Sequence, residues 1–285
     1  MPAARVVEAS RGRDPPLLDS ATPVSGAATL WPAARVSLAA KLWGEGFIGP
    51  GGEAEVLRLA APLGLSEASS LLLLGCGAGG PARCISAYFG AWVSGFEADA
   101  GLAAAGADLC GNAGLGRHPQ VAAWHGVVPE INRRSCHHAL ALEAMRGSAP
   151  ESLFGALALA LRHGAQVTLV ETVAAPEADP DDPEIAAWSR LDGRITPVPR
   201  EAVITNVLSR LGFEVRVVEN ISARHVTQAT HAWVSAVRVL QAIKLSSDEV
   251  GALHQEAELW DMRLGLMRAD RIRLMRWHAI HRGMD

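Results

Sequence analysis

The apolar positions of this chain alternate between short uninterrupted runs and longer stripes with helical spacing. Residues 71–74 are four consecutive leucines. That run is too short for a buried helix and suits a strand covered on both faces, here 69–74. A helix is expected over 81–89, with Pro81 at a position the first turn tolerates. Further strands are expected at 91–97, 121–124, 137–142, 166–171, 213–218 and 231–240. Helices are expected at 31–43, 53–63, 102–111, 184–191 and 201–211. Ser148 and Glu151 have capping-box spacing and predict a helix opening there and running to Arg162, with Gly164 as its stop. Ser246 and Glu249 repeat that spacing and predict a long helix over 247–281.

Strands alternating with helices predict a doubly wound α/β fold, a seven-stranded, mostly parallel Rossmann-like sheet. The chain divides into a flexible N-terminal arm (1–30), a main domain (31–245) with an N-terminal helical segment, and a C-terminal amphipathic helix (246–285). Residues 173–199 break the rhythm with five prolines among acidic residues. They are expected to form a lid or substrate wall, because an insertion after the fifth strand lies over the carboxyl ends of the strands, where ligands bind in such sheets.

Composition narrows the function classes. Among 285 residues 49% are hydrophobic, ample for a core, and a net charge of −4 argues against general nucleic-acid affinity. No apolar run is long enough to cross a membrane, and residues 1–30 do not read as a signal peptide. The four cysteines (76, 84, 110, 136) lack metal spacing, so reduced thiols in a cytoplasmic protein are expected, with no metal. The last third of the C-terminal helix is rich in arginine. A basic amphipathic helix fits docking on its own domain, a twin subunit in a homodimer, or peripheral contact with a membrane.

The glycine-rich turn after the leucine strand carries the candidate chemistry. A strand, a turn through Gly75, Gly77, Gly79 and Gly80, and a helix N-terminus leave backbone N–H groups free to meet a ligand. Gly75-x-Gly77-x-x-Gly80 has the spacing of a dinucleotide site. Gly75, Gly77 and Gly79 equally fit the looser turn used for S-adenosylmethionine. Glu97, ending the next strand, is placed to accept hydrogen bonds from ribose hydroxyls, which both ligands carry.

Two stretches carry a family resemblance. Trp43-Gly44-Glu45-Gly46-Phe47-Ile48-Gly49-Pro50-Gly51-Gly52 resembles the glycine-rich element of phosphoethanolamine N-methyltransferases. Gly75-Cys76-Gly77-Ala78-Gly79-Gly80-Pro81-Ala82-Arg83 resembles the corresponding turn of sterol and tocopherol methyltransferases. The chain thus resembles class I S-adenosylmethionine-dependent methyltransferases of the lipid-type group. The resemblance implies that S-adenosylmethionine is the cofactor and that the acceptor is small or lipid-like. It also implies an antiparallel final strand. Gly75, Cys76, Gly77 and Gly79 would approach the methionine portion and ribose, Glu97 the ribose hydroxyls, and Trp124 and His125 the adenine. Trp43 and Gly46 would close over the cofactor.

Methyl transfer from a sulfonium needs alignment and exclusion of water more than acid or metal. Glu143, at the carboxyl end of the fourth strand, is the candidate catalytic carboxylate, accepting a proton or holding a cationic amine. Arg146 is expected to pair with it or with an anionic group, and Glu171, ending the fifth strand, either faces the mouth or is a solvated strand end. The histidine that related enzymes carry four residues after that Glu is Gly147 here. This departure favours the alternative reading, a methyltransferase fold that binds without catalysing. His225 and the remaining histidines show no constellation and read as structural or solvated.

Overall fold

The computed structural model describes residues 30–115, 119–124, 134–179 and 181–283. The expected arm (all but residue 30) and His125 lie outside the described residues.

Helices α1 (Ala33–Trp43) and α2 (Gly52–Ala60) precede the sheet. Then β1 (Ser70–Leu74), α3 (Gly80–Phe89), β2 (Trp92–Glu97), α4 (Ala100–Gly111), β3 (Gln120–Ala123) and β4 (Cys136–Leu142) follow in alternation. The second half runs α5 (Pro150–Ala160), β5 (Leu161–Ala174), α6 (Pro183–Leu191), α7 (Glu201–Arg210) and β6 (Phe213–Asn220). Two long helices, α8 (Ser222–Ala242) and α9 (Ser247–Arg268), lead to β7 (Ile272–His281).

The seven strands form one sheet in the order β3-β2-β1-β4-β5-β7-β6, in which β7 alone runs antiparallel to its neighbours. This is the expected doubly wound, mostly parallel architecture. The leucine run behaves as a strand buried on both faces. Leu72 and Leu74 pack with Phe154, Leu157 and Trp277 on one side, and Leu71 and Leu73 with Ile85 and Val93 on the other. Sheet order reverses between β1 and β4. Gly75 and Glu143 therefore sit side by side at the crevice where such folds bind ligands.

Three expectations are corrected. Residues 231–240 are not the closing strand but belong to α8. Its buried positions Ser222, His225, Ala229 and Ala236 follow helical spacing, whereas Val234, Val237 and Val239 are exposed. Valine content suggested a strand, and tertiary packing overrode it.

The C-terminal helix does not reach 281. Ser246 and Glu249 do form a reciprocal capping box, but α9 ends at Arg268. Asp270 takes a left-handed conformation (φ 52°), and the chain returns as β7 between β5 and β6. Ile272, Leu274, Trp277, Ala279 and His281 are buried along that strand. The arginines in and beside it are partnered: Arg271 by Asp182 and Glu184, Arg273 by Asp270, Arg276 by Glu219, and Arg282 by Glu214. The basic amphipathic helix that motivated a membrane contact is therefore absent.

The helix expected from Ser148 has Ala149 at its N-cap and Pro150 in its first turn, without a side-chain cap. It ends at Ala160, and Gly164 (φ 80°) lies inside β5, where the pairing with β4 shifts register.

The insertion after β5 is closely docked. Asp182 caps α6 by accepting from the backbone N–H of Glu184 (2.9 Å) and Ile185 (3.2 Å). Trp188 is fully buried, and α6 packs against α9. With α1 and α8, α9 forms a roof over one side of the crevice, cored by Leu38, Trp43, Ala229, Trp260 and Leu264.

Candidate functional site

The turn between β1 and α3 closes against β4. At Gly75 (φ 69°) a Cβ would lie 2.1 Å from the Leu142 carbonyl oxygen, so only glycine permits this approach. Gly75, Cys76 and Gly77 border a cavity at the carboxyl ends of the strands. Burial and the Glu97 charge push the Cys76 thiol well up, which keeps it a neutral wall.

Glu97 is nearly buried, at 8% exposure. Its Oε2 accepts from the Gly77 N–H (2.8 Å) and its Oε1 from the Asp99 N–H (3.1 Å). Burial raises its pKa, against the pull of those two N–H groups and Arg146. A second, smaller cavity joins Glu97, Ala98 and Trp124 to Ile48, Gly75 and Ala144. Trp124 is buried there, its N–H bonded to the Glu97 carbonyl (2.7 Å). The two cavities share Ile48, Gly75, Leu142, Glu143 and Arg146 along their walls.

Other expected site residues lie elsewhere. Trp43 packs in the helical roof against Trp260 (ring centroids 4.7 Å apart) and Trp233 (6.0 Å). Gly46 is a latch. Its carbonyl accepts the Gly80 N–H (3.0 Å), and a Cβ on it would lie 2.5 Å from that nitrogen. Their segment does border the cavity, through Phe47, Ile48, Gly49 and Pro50. Gly79 faces α4, where a Cβ would come within 2.8 Å of the Gly106 Cα.

Glu143 does reach the cavity, but its carboxylate is engaged. Oε1 accepts from Thr172 Oγ1 (2.6 Å), Arg194 (3.2 Å) and Arg263 (2.9 Å); Oε2 accepts from Arg146 (3.2 Å) and Arg263 (2.9 Å). Burial raises its pKa, but Arg263, Arg146 and Arg194 together hold it well below the usual carboxylate range. The carboxylate expected to accept a proton or hold an amine is thus already engaged by Thr172 and three arginines. Glu171 is not a solvated strand end: it is fully buried, paired with Arg194 (3.1 Å) and bonded to the Met145 and Thr172 N–H groups. With Asp192, which pairs Arg146 and Arg194, three acids and three arginines form one buried network. Arg194 and Arg263 have no local signal in the sequence; only the docking of the insertion and of α9 brings them to Glu143.

The far wall is built by α2 and α8. Glu55 is bound by Arg224 (3.0 Å) and Gln228 (2.8 Å). His225, just inside α8, borders the cavity with Trp260 behind it. Burial, then Arg263, push its pKa down to about 3, so it is neutral near pH 7. Its stretch, between the strands expected at 213–218 and 231–240, carries no expected element, and that hid it. A helical reading sets it on the face of Ala229 and Ala236. Among the described residues no three His, Cys, Asp or Glu side chains gather as metal ligands.

No family model and no curated protein sequence matches this chain. Solved structures match it in shape. A geranyl diphosphate methyltransferase in complex with SAM superposes with a TM-score of 0.66 at 13% identity, over 80% of this chain and 85% of that one. Phosphoethanolamine N-methyltransferase 2 of Haemonchus contortus superposes with a TM-score of 0.72 at 17% identity, over 87% of this chain and 57% of that one. The [4+2]-cyclase SpnF superposes with a TM-score of 0.67 at 15% identity, over 87% of this chain and 92% of that one. These likenesses establish the fold of class I S-adenosylmethionine-dependent methyltransferases. That fold also carries a protein named for a different reaction, so the fold alone assigns no activity.

Proposed function

We propose that this chain is an S-adenosylmethionine-dependent methyltransferase acting on a small or lipid-like acceptor. One observation separates this reading from a dinucleotide site. A dinucleotide places its pyrophosphate on the N-terminus of the helix after the glycine turn. Here that position is covered: the Gly80 N–H donates to the Gly46 carbonyl, and a Cβ on Gly80 would lie 2.8 Å from the Gly46 carbonyl carbon. What borders the cavities instead is the strand end, with Gly75, Gly77 and Glu97.

These residues fit the cofactor. Each Glu97 oxygen accepts one backbone N–H and keeps a lone pair for a ribose hydroxyl. Trp124, Ile48 and Ala98 offer apolar surface to the adenine, and the Gly75–Gly77 backbone offers room for the methionine portion. The bound cofactor supplies a methyl group already activated by a sulfonium. The chain's own part is to hold the acceptor in line and exclude water with Phe47, Pro50 and the helical roof. The Glu143 network fixes the cavity wall and takes no proton. The free, buried thiols support a reducing, cytoplasmic setting.

A second reading, a fold that binds without methylating, is favoured by the engagement of Glu143. Calorimetric titration with S-adenosylmethionine, S-adenosylhomocysteine and NADH tests the cofactor. Micromolar binding of the first two, lost in Gly77→Asp, is expected. Preference for NADH, or no binding of any, refutes the proposal. Binding without turnover across an acceptor screen leaves the second reading.

A further inference from the structure

The polar groups around the main cavity are almost all committed. Glu143 is held by three arginines, and Arg146 also pairs with Asp192. Glu55 is bound by Arg224 and Gln228, and Arg224 also faces Glu219. His225 is the exception. It is only 8% exposed, it borders the cavity, and its Nε2 is buried with no hydrogen-bond partner among the described residues. Its ring lies beside Trp260, with centroids 5.7 Å apart and planes inclined at 36°, which limits how it can turn. Buried polar nitrogens in folded proteins are almost always satisfied, so an orphan in a ring that borders a cavity points to a ligand group or a water that completes it.

The remaining wall sets the class of that ligand. Val56, Leu59, Val170, Ile221 and Leu274 make its body apolar. A cationic acceptor is disfavoured because both bordering carboxylates are already neutralised by arginines. Trp260, which would face such a cation, already lies 5.3 Å from the Arg263 guanidinium. We propose that His225 fixes the acceptor by a hydrogen bond between its imidazole and a hydroxyl group on an otherwise neutral, apolar molecule. The charged groups around His225 are Arg263, Glu143, Arg146 and Arg224; burial and the three arginines keep the ring neutral against the opposing pull of Glu143. A neutral imidazole both donates and accepts, which suits a hydroxyl partner. The word acceptor rests on the proposed methyl transfer; the binding preference does not.

The test uses the full chain loaded with S-adenosylhomocysteine and three probes of one shape: 4-propylphenol, propylbenzene and 4-propylbenzylammonium. Calorimetry is expected to show the phenol binding about tenfold tighter than propylbenzene, the worth of one well-made hydrogen bond, and tighter than the ammonium. His225→Leu should remove that tenfold preference and leave propylbenzene and S-adenosylhomocysteine binding unchanged. His225→Asn, which keeps a donor and an acceptor, should retain part of it. In the unmodified protein the phenol should shift the His225 side-chain nitrogen resonances, a readout that does not depend on a variant folding. Equal affinity for phenol and propylbenzene, preference for the ammonium, no phenol binding, or unmoved His225 resonances would each overturn the proposal. Failure of S-adenosylhomocysteine to bind the unmodified chain would instead count against the cofactor reading, and the probe preference would then be measured on the unloaded protein.

Discussion

The Arg263 Nη2 sits 2.9 Å from both carboxylate oxygens of Glu143, joining α9 to the end of β4 across 120 residues of sequence. This contact engages the most conspicuous carboxylate of the crevice, and it ties the helical roof to the sheet. Removing one partner of a buried ionic network leaves the others uncompensated, which costs more than the network contributes net.

Glu143→Gln should therefore act on stability first. It leaves three arginines facing two acids, and a loss of about 3–5 kcal/mol is expected in urea unfolding. Were Glu143 a general base, the same variant would keep its stability and lose turnover alone.

His225 gives the fold a specific acid sensitivity. Its pKa is lowered to about 3 in the folded protein, against about 6.5 unfolded. Between those values the unfolded chain binds the extra proton, so stability is complete above pH 6.5 and declines as pH falls toward 3. His225→Leu should flatten that dependence by on the order of a few kcal/mol. Urea unfolding at a series of pH values, unmodified protein against variant, isolates the His225 share.

Gly46→Ala should damage the site without touching the cavity. Its Cβ would lie 2.5 Å from the Gly80 nitrogen, at a φ of 81° that side chains rarely adopt. Moving the latch should cost about 2–3 kcal/mol and weaken S-adenosylhomocysteine binding, because Phe47 to Pro50 would shift with it. Calorimetry and urea unfolding on the same sample check both effects.

Deleting residues 269–285 should abolish cooperative folding. The segment includes the strand that joins β5 to β6 and buries Ile272, Leu274 and Trp277. An appended surface helix would be removed with little effect on the thermal transition, so circular dichroism melting of the truncated chain separates the two cases.

The parts of this protein whose physics is local are legible in short stretches of its chain. Four leucines before a glycine turn suit a buried strand, and they form one here. Ser246 and Glu249 cap a helix with their own backbone. Gly75 and Gly77 make a turn that no side-chain-bearing residue follows easily. Alternation of strands and helices gave the layered sheet. The tertiary structure alone decided which charges meet. Glu143 reads as a free acid because Arg194 and Arg263, its partners, lie 51 and 120 residues away, and nothing in their neighbourhoods marks them. Residues 231–240 and 272–281 exchanged their expected roles for a related reason. Each segment has apolar residues compatible with either periodicity, and the open position between β5 and β6 was filled by the one that could bury Trp277 against α5 and α7 while pairing its arginines at the rim. Local propensity is a fraction of a kcal/mol per residue, and burial of a large side chain is several times that, so packing settled what the pattern left open.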